Sequence, residues 1–199
     1  MPHTQLTDGM NVPAWLGRQV VATKVLFVLI GTLVLTASSH VSVPMVPVPM
    51  TMQTLAVTLI GALYGWRLGG LTLIVWLGQG AFGLPVFAGG TGGVDRLWGP
   101  TGGYLLAFPV AAILAGWLVA RGDHGRRVFF AFGAMLAGNA VCLLLGAAWL
   151  AGIVGIEKAV AVGMMPFIPG GVLKSAFGAL VLKAINSAAR RRAFDYRRQ

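Results

Sequence analysis

Residues Leu84–Tyr104 read LPVFAGGTGGVDRLWGPTGGY, a glycine-rich stretch that lies between two strongly apolar runs. In a soluble protein such a stretch can form a loop around a phosphate. In a membrane protein, non-helical backbone of this kind is tolerated only where it is buried in protein or lines a cavity. The composition of the whole chain decides between these two interpretations.

The composition is that of an integral membrane protein. Of its 199 residues, 57% are hydrophobic and only 10% are charged, and the mean hydropathy is +0.81. Soluble domains carry about 25% charged residues. Because a spanning helix needs about 20 apolar residues, the length allows about five or six helices and no separate soluble domain. Any ATP-hydrolysing module must therefore be another chain.

The apolar runs predict an all-α membrane protein with six transmembrane helices. The predicted helices cover residues 20–37, 53–64, 71–82, 102–120, 128–150 and 166–188. The segment 38–52 between the first two contains Pro44, Pro47 and Pro49, which exclude helix and favour an extended chain. A tight turn is expected at 65–70, a polar loop at 121–127 and a weakly polar connection at 151–165.

Six spans place both termini on one side of the membrane. Most of the 15 Lys and Arg residues fall on that side, and the positive-inside rule then makes it the cytoplasm. The chain is expected to be one transmembrane domain, residues 1–199, with a cytoplasmic segment 1–18 and a basic cytoplasmic tail 189–199. Topology and contact with membrane lipids account for the net charge of +10 without any nucleic acid.

The sequence lacks the residues that several chemical functions require. The run Gly89–Gly93 has neither the Gly-Lys-Ser/Thr ending nor the preceding strand of a phosphate loop. The three histidines are far apart and Cys142 is the sole cysteine, so neither a metal site nor an intrachain disulfide is expected. The five carboxylates fall mostly in loops or the tail. No cofactor is expected, and the chain is not expected to be an enzyme.

Two features favour a ligand site on the outer face. The glycine-rich stretch contains Asp95, Arg96, Trp98 and Tyr104, the side chains that a loop covering a small molecule needs; the alternative is close helix packing by glycine. Lys174 lies about one turn into the last span, where it can pair with an anionic substrate or extend to the surface.

Uncharged polar residues also occur within or beside the apolar runs. They are Gln53, Gln79 and Asn139. Residues of this kind more often form a hydrogen bond between helices than a contact with a ligand.

Four motifs together resemble one family. They are Pro49–Thr54 (PMTMQT), Gly83–Gly90 (GLPVFAGG), Gly99–Tyr104 (GPTGGY) and Pro166–Gly170 (PFIPG) with Lys174. These look like the BioY family, the biotin-specific substrate-binding (S) components of energy-coupling factor (ECF) transporters, over about residues 20–188. The resemblance implies an S-component-like bundle in a bacterial or archaeal cytoplasmic membrane, with a transmembrane coupling protein and two ATPases as partners. An S component for another small vitamin and a structural membrane subunit are the alternatives.

The resemblance implies biotin as ligand, bound near the outer face under the loops. Biotin combines a carboxylate, an apolar ring and chain, and a ureido group that donates and accepts hydrogen bonds. The expected site has Lys174 and Arg96 as cations; Phe87, Trp98, Tyr104 and Phe167 as walls; and Gln53, Asp95, Asn139 and the backbone around Gly90 as ureido partners.

The sequence departs from the family pattern at two places. Gly171 stands where members usually have Asp, so Lys174 lacks that carboxylate neighbour. The first span also lacks the Ala-x-x-x-Ala face that S components often present to the coupling protein. The contact with the coupling protein is therefore not placed by the sequence.

Overall fold

The computed structural model describes residues 21–122 and 127–196, without the side chains of 127 and 189–196. The described chain forms seven α-helices, one π-helical turn and one pair of short strands. In chain order they are α1 (Val21–His40), β1 (Ser42–Val43), β2 (Met50–Thr51), α2 (Gln53–Ala81), α3 (Asp95–Trp98), α4 (Gly102–Arg121), α5 (Arg127–Val154), α6 (Ile156–Ala159), the π-helical turn Val160–Met164, and α7 (Phe167–Tyr196). The predicted segment 1–18 lies outside the described residues, as does the end of the predicted tail.

Five helical segments of the described chain are long and apolar enough to cross a membrane. They are Val21–His40, Gln53–Ala81, Gly102–Arg121, Val128–Val154 and Ile156–Ala188. Many of their large apolar side chains are exposed, Leu33 at 69% and Phe129 at 78% among them. An apolar exterior of this kind is the expected surface toward lipid. The mainly helical membrane fold predicted from composition is therefore confirmed.

The predicted second and third spans form one element, α2, instead of two helices joined by a six-residue turn. Gly65 is its single non-helical residue, with φ 77° and ψ 165°, a conformation that side chains disfavour. The chain reverses at this glycine. A Cβ on Gly69 would lie 2.9 Å from Gly61 Cα, whereas eight residues of a straight helix span about 12 Å.

The connection predicted at 151–165 is mostly helical. Helix α5 continues to Val154, Gly155 breaks it with φ 86°, and the short helix α6 and the π-helical turn follow. The last helix begins at Phe167, close to the predicted start, and continues to Tyr196. The sequence underestimated the helical content here because Glu157 and Lys158 interrupt the apolar run without breaking the backbone hydrogen bonds.

The loop after α1 is extended, as its prolines indicate. Its two strands pair antiparallel, with Ser42 opposite Thr51 and Val43 opposite Met50. The Met52 amide donates to the Val41 carbonyl at 3.0 Å, which closes the loop directly before α2. This pairing holds the segment 44–49 over one end of the helical bundle.

The buried side chains form two clusters. The larger contains Trp76, Phe87, Tyr104, Phe108 and Cys142 and surrounds the end of the bundle that carries the two long loops. The smaller lies near the other end and is made of Ala62, Val119, Ala131, Ala134, Met135, Ala179 and Leu182. Helices α2 and α4 are in close backbone contact between the two clusters. A Cβ on Gly61 would collide with the Ala112 carbonyl.

Candidate functional site

A cavity of about 150 Å³ lies at the loop end of the bundle. The loop after α1, the glycine-rich loop and helices α2–α5 and α7 all contribute to its lining. The lining residues are Pro47, Val48, Pro49, Thr51, Gln53, Thr54, Phe87, Ala88, Thr91, Arg96, Thr101, Tyr104, Leu105, Phe108, Asn139, Cys142, Leu143, Phe167, Gly171 and Lys174.

Lys174 connects the last helix with the loop after α1. Its ammonium Nζ donates to the Thr51 carbonyl at 2.5 Å and lies 3.4 Å from Thr54 Oγ1. An ammonium has three donors, so these contacts leave at least one N–H for a ligand. The alternative in which Lys174 extends to the membrane surface does not describe this structure, because the side chain points into the cavity lining.

Gln53 is the most unusual polar residue of the lining. It is 3% exposed, and its Oε1 accepts a hydrogen bond from the Thr51 hydroxyl at 3.1 Å. Its Nε2 has no partner, although the atom is buried. Burying an amide donor without an acceptor costs about 1–3 kcal/mol. A ligand acceptor in the cavity would remove this penalty.

Asn139 is buried on α5 and is bonded to the last helix. Its Nδ2 donates to Ser175 Oγ at 3.0 Å and to the Met135 carbonyl at 3.1 Å. The Ser175 hydroxyl in turn donates to the Gly171 carbonyl at 2.7 Å. The amide donor of Asn139 therefore serves the contact between helices, and the residue still lines the cavity.

Aromatic rings form much of the apolar wall. Tyr104 and Phe167 stack with their ring centres 6.3 Å apart and an interplanar angle of 28°. Phe87 is 2% exposed and packs edge-on against Trp76 at 5.2 Å. A Cβ on Gly80 would collide with the Phe87 ring. This glycine therefore allows the aromatic side chain of the loop to enter the core.

The glycine-rich loop is folded tightly around Phe87. The Phe87 amide donates to the Thr91 carbonyl at 2.9 Å, and Gly89 and Gly90 close the turn with φ 72° and 67°. Gly92 serves packing, since a Cβ there would collide with the Leu84 carbonyl. Glycine therefore serves both the backbone turn and close packing in the same loop.

Arg96 is exposed and stands on the short helix α3, with its side chain at the cavity lining. It makes no ion pair with any carboxylate in the described part of the chain. A cation at the cavity without an acidic partner suits an anionic ligand group.

Three predicted site residues do not line the cavity. Asp95 is exposed at the start of α3, and Gly90 lies at the exposed turn. Trp98 is 71% exposed and packs against Trp149, with ring centres 6.0 Å apart and an interplanar angle of 35°. These residues belong to the covering loop, but the structure places them on its outer surface.

The sequence did not single out several lining residues. Thr54, Thr101, Phe108 and Cys142 were missed, and the Thr51 carbonyl that accepts from Lys174 was missed as well. Thr51 and Thr54 lie within the motif PMTMQT, which was a usable signal. A backbone carbonyl has no signature in the sequence. Among the described residues no group of three His, Cys, Asp or Glu side chains could hold a metal ion.

The fold and the cavity define a multi-pass membrane protein with a cavity at one end, bordered by two loops. Residues 9–191 match the model of the BioY family. The chain belongs to the BioY family.

Relatives in other organisms are similar over most of their length. The probable biotin transporter BioY of Pyrococcus horikoshii is 37% identical over 147 residues, which cover 74% of this chain and 86% of that protein. The biotin transporter BioY of Rhizobium etli is 36% identical, with 73% and 81% covered. That of Thermotoga maritima is also 36% identical, with 76% and 89% covered.

One solved structure has the same fold. It is described as the S-component for biotin from an ECF-type ABC transporter. The TM-score is 0.77 at 23% identity, with 83% of this chain and 92% of the other covered. The predicted similarity to an S-component bundle is therefore confirmed at the level of the fold.

Proposed function

We propose that this chain binds biotin and serves as the substrate-specific subunit of an ECF-type uptake system. The observation that carries the proposal is the buried, unpartnered Nε2 of Gln53 in a cavity that also holds Lys174 and aromatic walls. The names of its relatives support biotin as the ligand.

The lining matches the chemistry of biotin group by group. The carboxylate suits the free N–H of Lys174, with Arg96 as a second cation at the cavity. The apolar ring and chain suit the walls made by Phe87, Tyr104 and Phe167. The ureido oxygen can accept the hydrogen bond for which the buried Gln53 Nε2 has no partner. Asn139 contributes to this end of the site. The other predicted residues, Asp95, Trp98 and Gly90, act as parts of the loop that covers the cavity.

The chain acts by binding and movement and not by catalysis. A transmembrane coupling protein and two ATPases are its partners in this proposal, and the ATPases hydrolyse ATP. The membrane is the cytoplasmic membrane of a bacterium or an archaeon. Biotin enters at the outer face, where the loops lie, and no cofactor takes part.

The two halves of α2 count as separate crossings in the proposed topology, which gives six spans within a single domain, residues 1–199. Support comes from Gln53 and Gly80, at opposite ends of α2, since Gln53 lines the cavity and Gly80 packs on the lining residue Phe87. Arg67 and Arg121 lie at the other end of the bundle. The positive-inside rule makes that end cytoplasmic, together with segment 1–18 and tail 189–199.

Purified protein in detergent tests the proposal directly. Mass spectrometry of the denatured sample should detect co-purified biotin, and calorimetry on ligand-free protein should detect biotin binding at one site. Riboflavin, thiamine and a peptide of similar mass serve as controls. Tight binding of another vitamin would make the chain a different S component, and no binding of any vitamin would favour a structural subunit.

A further inference from the structure

Two arginine guanidinium groups lie over tryptophan rings at the end of the bundle opposite the cavity. Arg67 Cζ is 4.7 Å from the centre of the Trp66 ring, and Arg121 Cζ is 3.6 Å from the centre of the Trp117 ring. The tryptophans are 41% and 40% exposed. Each pair therefore presents a cation on an aromatic platform at the outside of the bundle.

The two pairs belong to backbone segments in direct contact. A Cβ on Gly116 would lie 2.8 Å from the Trp66 amide nitrogen, so the turn of α2 packs against the last turns of α4. Arg67 follows that turn and Arg121 ends α4. We name Trp66, Arg67, Trp117 and Arg121 the paired-arginine site.

Neither guanidinium is neutralised by a carboxylate whose side chain the structure describes. The acidic residues so described, Asp95 and Glu157, lie in the segments at the cavity end. The loop 121–127 reads RGDHGRR, so its positive charges outnumber its single Asp. Residues 123–126 of this loop lie outside the described part. The sequence of this end therefore carries an excess of positive charge.

The geometry selects a phosphate as the ligand. A guanidinium stacked on a ring keeps its in-plane N–H groups free, and these match two phosphate oxygens at once. Tryptophan prefers the membrane–water interface, at the level of the lipid headgroups. Basic pockets between helices bind anionic lipid headgroups. These three conditions coincide at the paired-arginine site.

We propose that the paired-arginine site binds the phosphate of an anionic phospholipid headgroup. The lipid bridges the turn of α2 and the end of α4, and so stabilises the bundle away from the substrate cavity. A free phosphate ion has the same chemistry, but it lacks the acyl chains that would lie along the exposed apolar surface beside the tryptophans.

The test titrates detergent-solubilised protein with dioleoylphosphatidylglycerol and follows the thermal unfolding midpoint. Phosphatidylglycerol should raise the midpoint, because a ligand of the folded state stabilises it, and dioleoylphosphatidylcholine should not. The double variant Arg67→Gln/Arg121→Gln should lose at least about tenfold in apparent phosphatidylglycerol affinity. The control Lys158→Gln/Lys183→Gln removes the same charge from residues that stack on no described ring and should respond as the wild type does.

A second variant separates guanidinium recognition from charge. Arg67→Lys/Arg121→Lys keeps both charges and removes the planar guanidinium groups, so its phosphatidylglycerol response should also weaken. If the glutamine double variant does not fold, the lysine double variant by itself tests the proposal. Equal responses to both lipids, equal losses in the control pair, or a lysine pair that binds as the wild type does would each overturn the proposal. So would an equal shift by inorganic phosphate, which would make the ligand a free ion.

A protein partner would give a different outcome. The glutamine pair would then keep its phosphatidylglycerol response and lose a co-purifying protein, which would also overturn the proposal. Biotin is absent from every arm, so the result is independent of the proposed substrate.

Discussion

The Tyr104 hydroxyl donates a hydrogen bond to the Gly163 carbonyl at 2.6 Å. This bond joins the first turn of α4 to the π-helical turn, where the backbone pattern changes before the last helix. A Cβ on Gly163 would lie 2.6 Å from the same hydroxyl, so this position admits no larger residue without a shift. Tyr104 therefore lines the cavity with its ring and anchors the approach to α7 with its hydroxyl.

Tyr104→Phe should lower stability more than biotin affinity. The substitution keeps the ring that stacks on Phe167 and leaves the buried Gly163 carbonyl without its donor, at a cost of about 1 kcal/mol. The thermal midpoint in detergent should fall by about 2–4 °C, while the Kd for biotin should change less than about threefold.

Tyr64→Phe is the matched control for that experiment. The Tyr64 ring packs against Phe27, and its hydroxyl makes no hydrogen bond to a described residue. Its midpoint should therefore stay within about 1 °C of the wild type. A midpoint for Tyr104→Phe as high as that of this control would show that the bond to Gly163 contributes nothing measurable.

Lys174→Ala should weaken biotin binding at least tenfold with the fold retained. Loss of a charge-assisted hydrogen bond in a desolvated site costs about 2–3 kcal/mol, or about 30- to 150-fold in affinity. Calorimetry in detergent measures it, with Lys183→Ala as the control on the exposed side of the same helix. Unchanged affinity would remove Lys174 from the site.

Biotin methyl ester identifies which ligand group Lys174 contacts. The ester keeps the ring and the ureido group and lacks the negative charge. It should bind the wild type at least tenfold more weakly than biotin does. Lys174→Ala should bind ester and acid about equally. A wild type that binds both ligands equally would place the carboxylate elsewhere.

Gln53→Met should change affinity and ligand-free stability in different directions. The substitution removes the buried amide donor that has no partner, so the ligand-free midpoint should stay or rise. The same donor is expected to bind the ligand, so biotin affinity should fall about tenfold. Gln79→Met is the control, since Gln79 does not line the cavity. A lower midpoint with unchanged affinity would make Gln53 structural.

Two glycines should respond oppositely to alanine. A Cβ on Gly171 would meet only Asn139 Cβ, at 3.8 Å, so Gly171→Ala should be neutral or gain up to about 1 kcal/mol from helix propensity. Gly61→Ala should cost more than about 2 kcal/mol, because its Cβ collides with the Ala112 carbonyl of α4. Thermal midpoints measured in parallel decide, and equal midpoints would contradict the packing described.

The room beside Gly171 also bears on the departure from the family pattern. A Cβ at this position would meet no close atom, and it would lie on the same cavity lining as Lys174, three residues away. The glycine leaves this position of the lining without a side chain, and the buried Gln53 amide that has no partner lines the same cavity.

The sequence by itself determined the class of the protein, because transfer of apolar side chains into lipid depends on composition and run length alone. It also indicated part of the cavity: residue type singled out Lys174 and the glycine-rich stretch, and the resemblance to the BioY family added the motifs around Thr51, Phe87 and Tyr104. Seven of the ten predicted site residues line the cavity. Their roles in ligand binding stay predictions.

Only the tertiary structure decided which side chains meet. The bond from Lys174 to the Thr51 carbonyl joins residues 123 positions apart. The reversal of α2 at Gly65 brings the backbones of Gly61 and Gly69 into close contact. Trp98 is exposed and packs against Trp149, 51 positions away in the sequence. Helix rotation and close backbone approach set these relationships, and neither leaves a local signal in residue order.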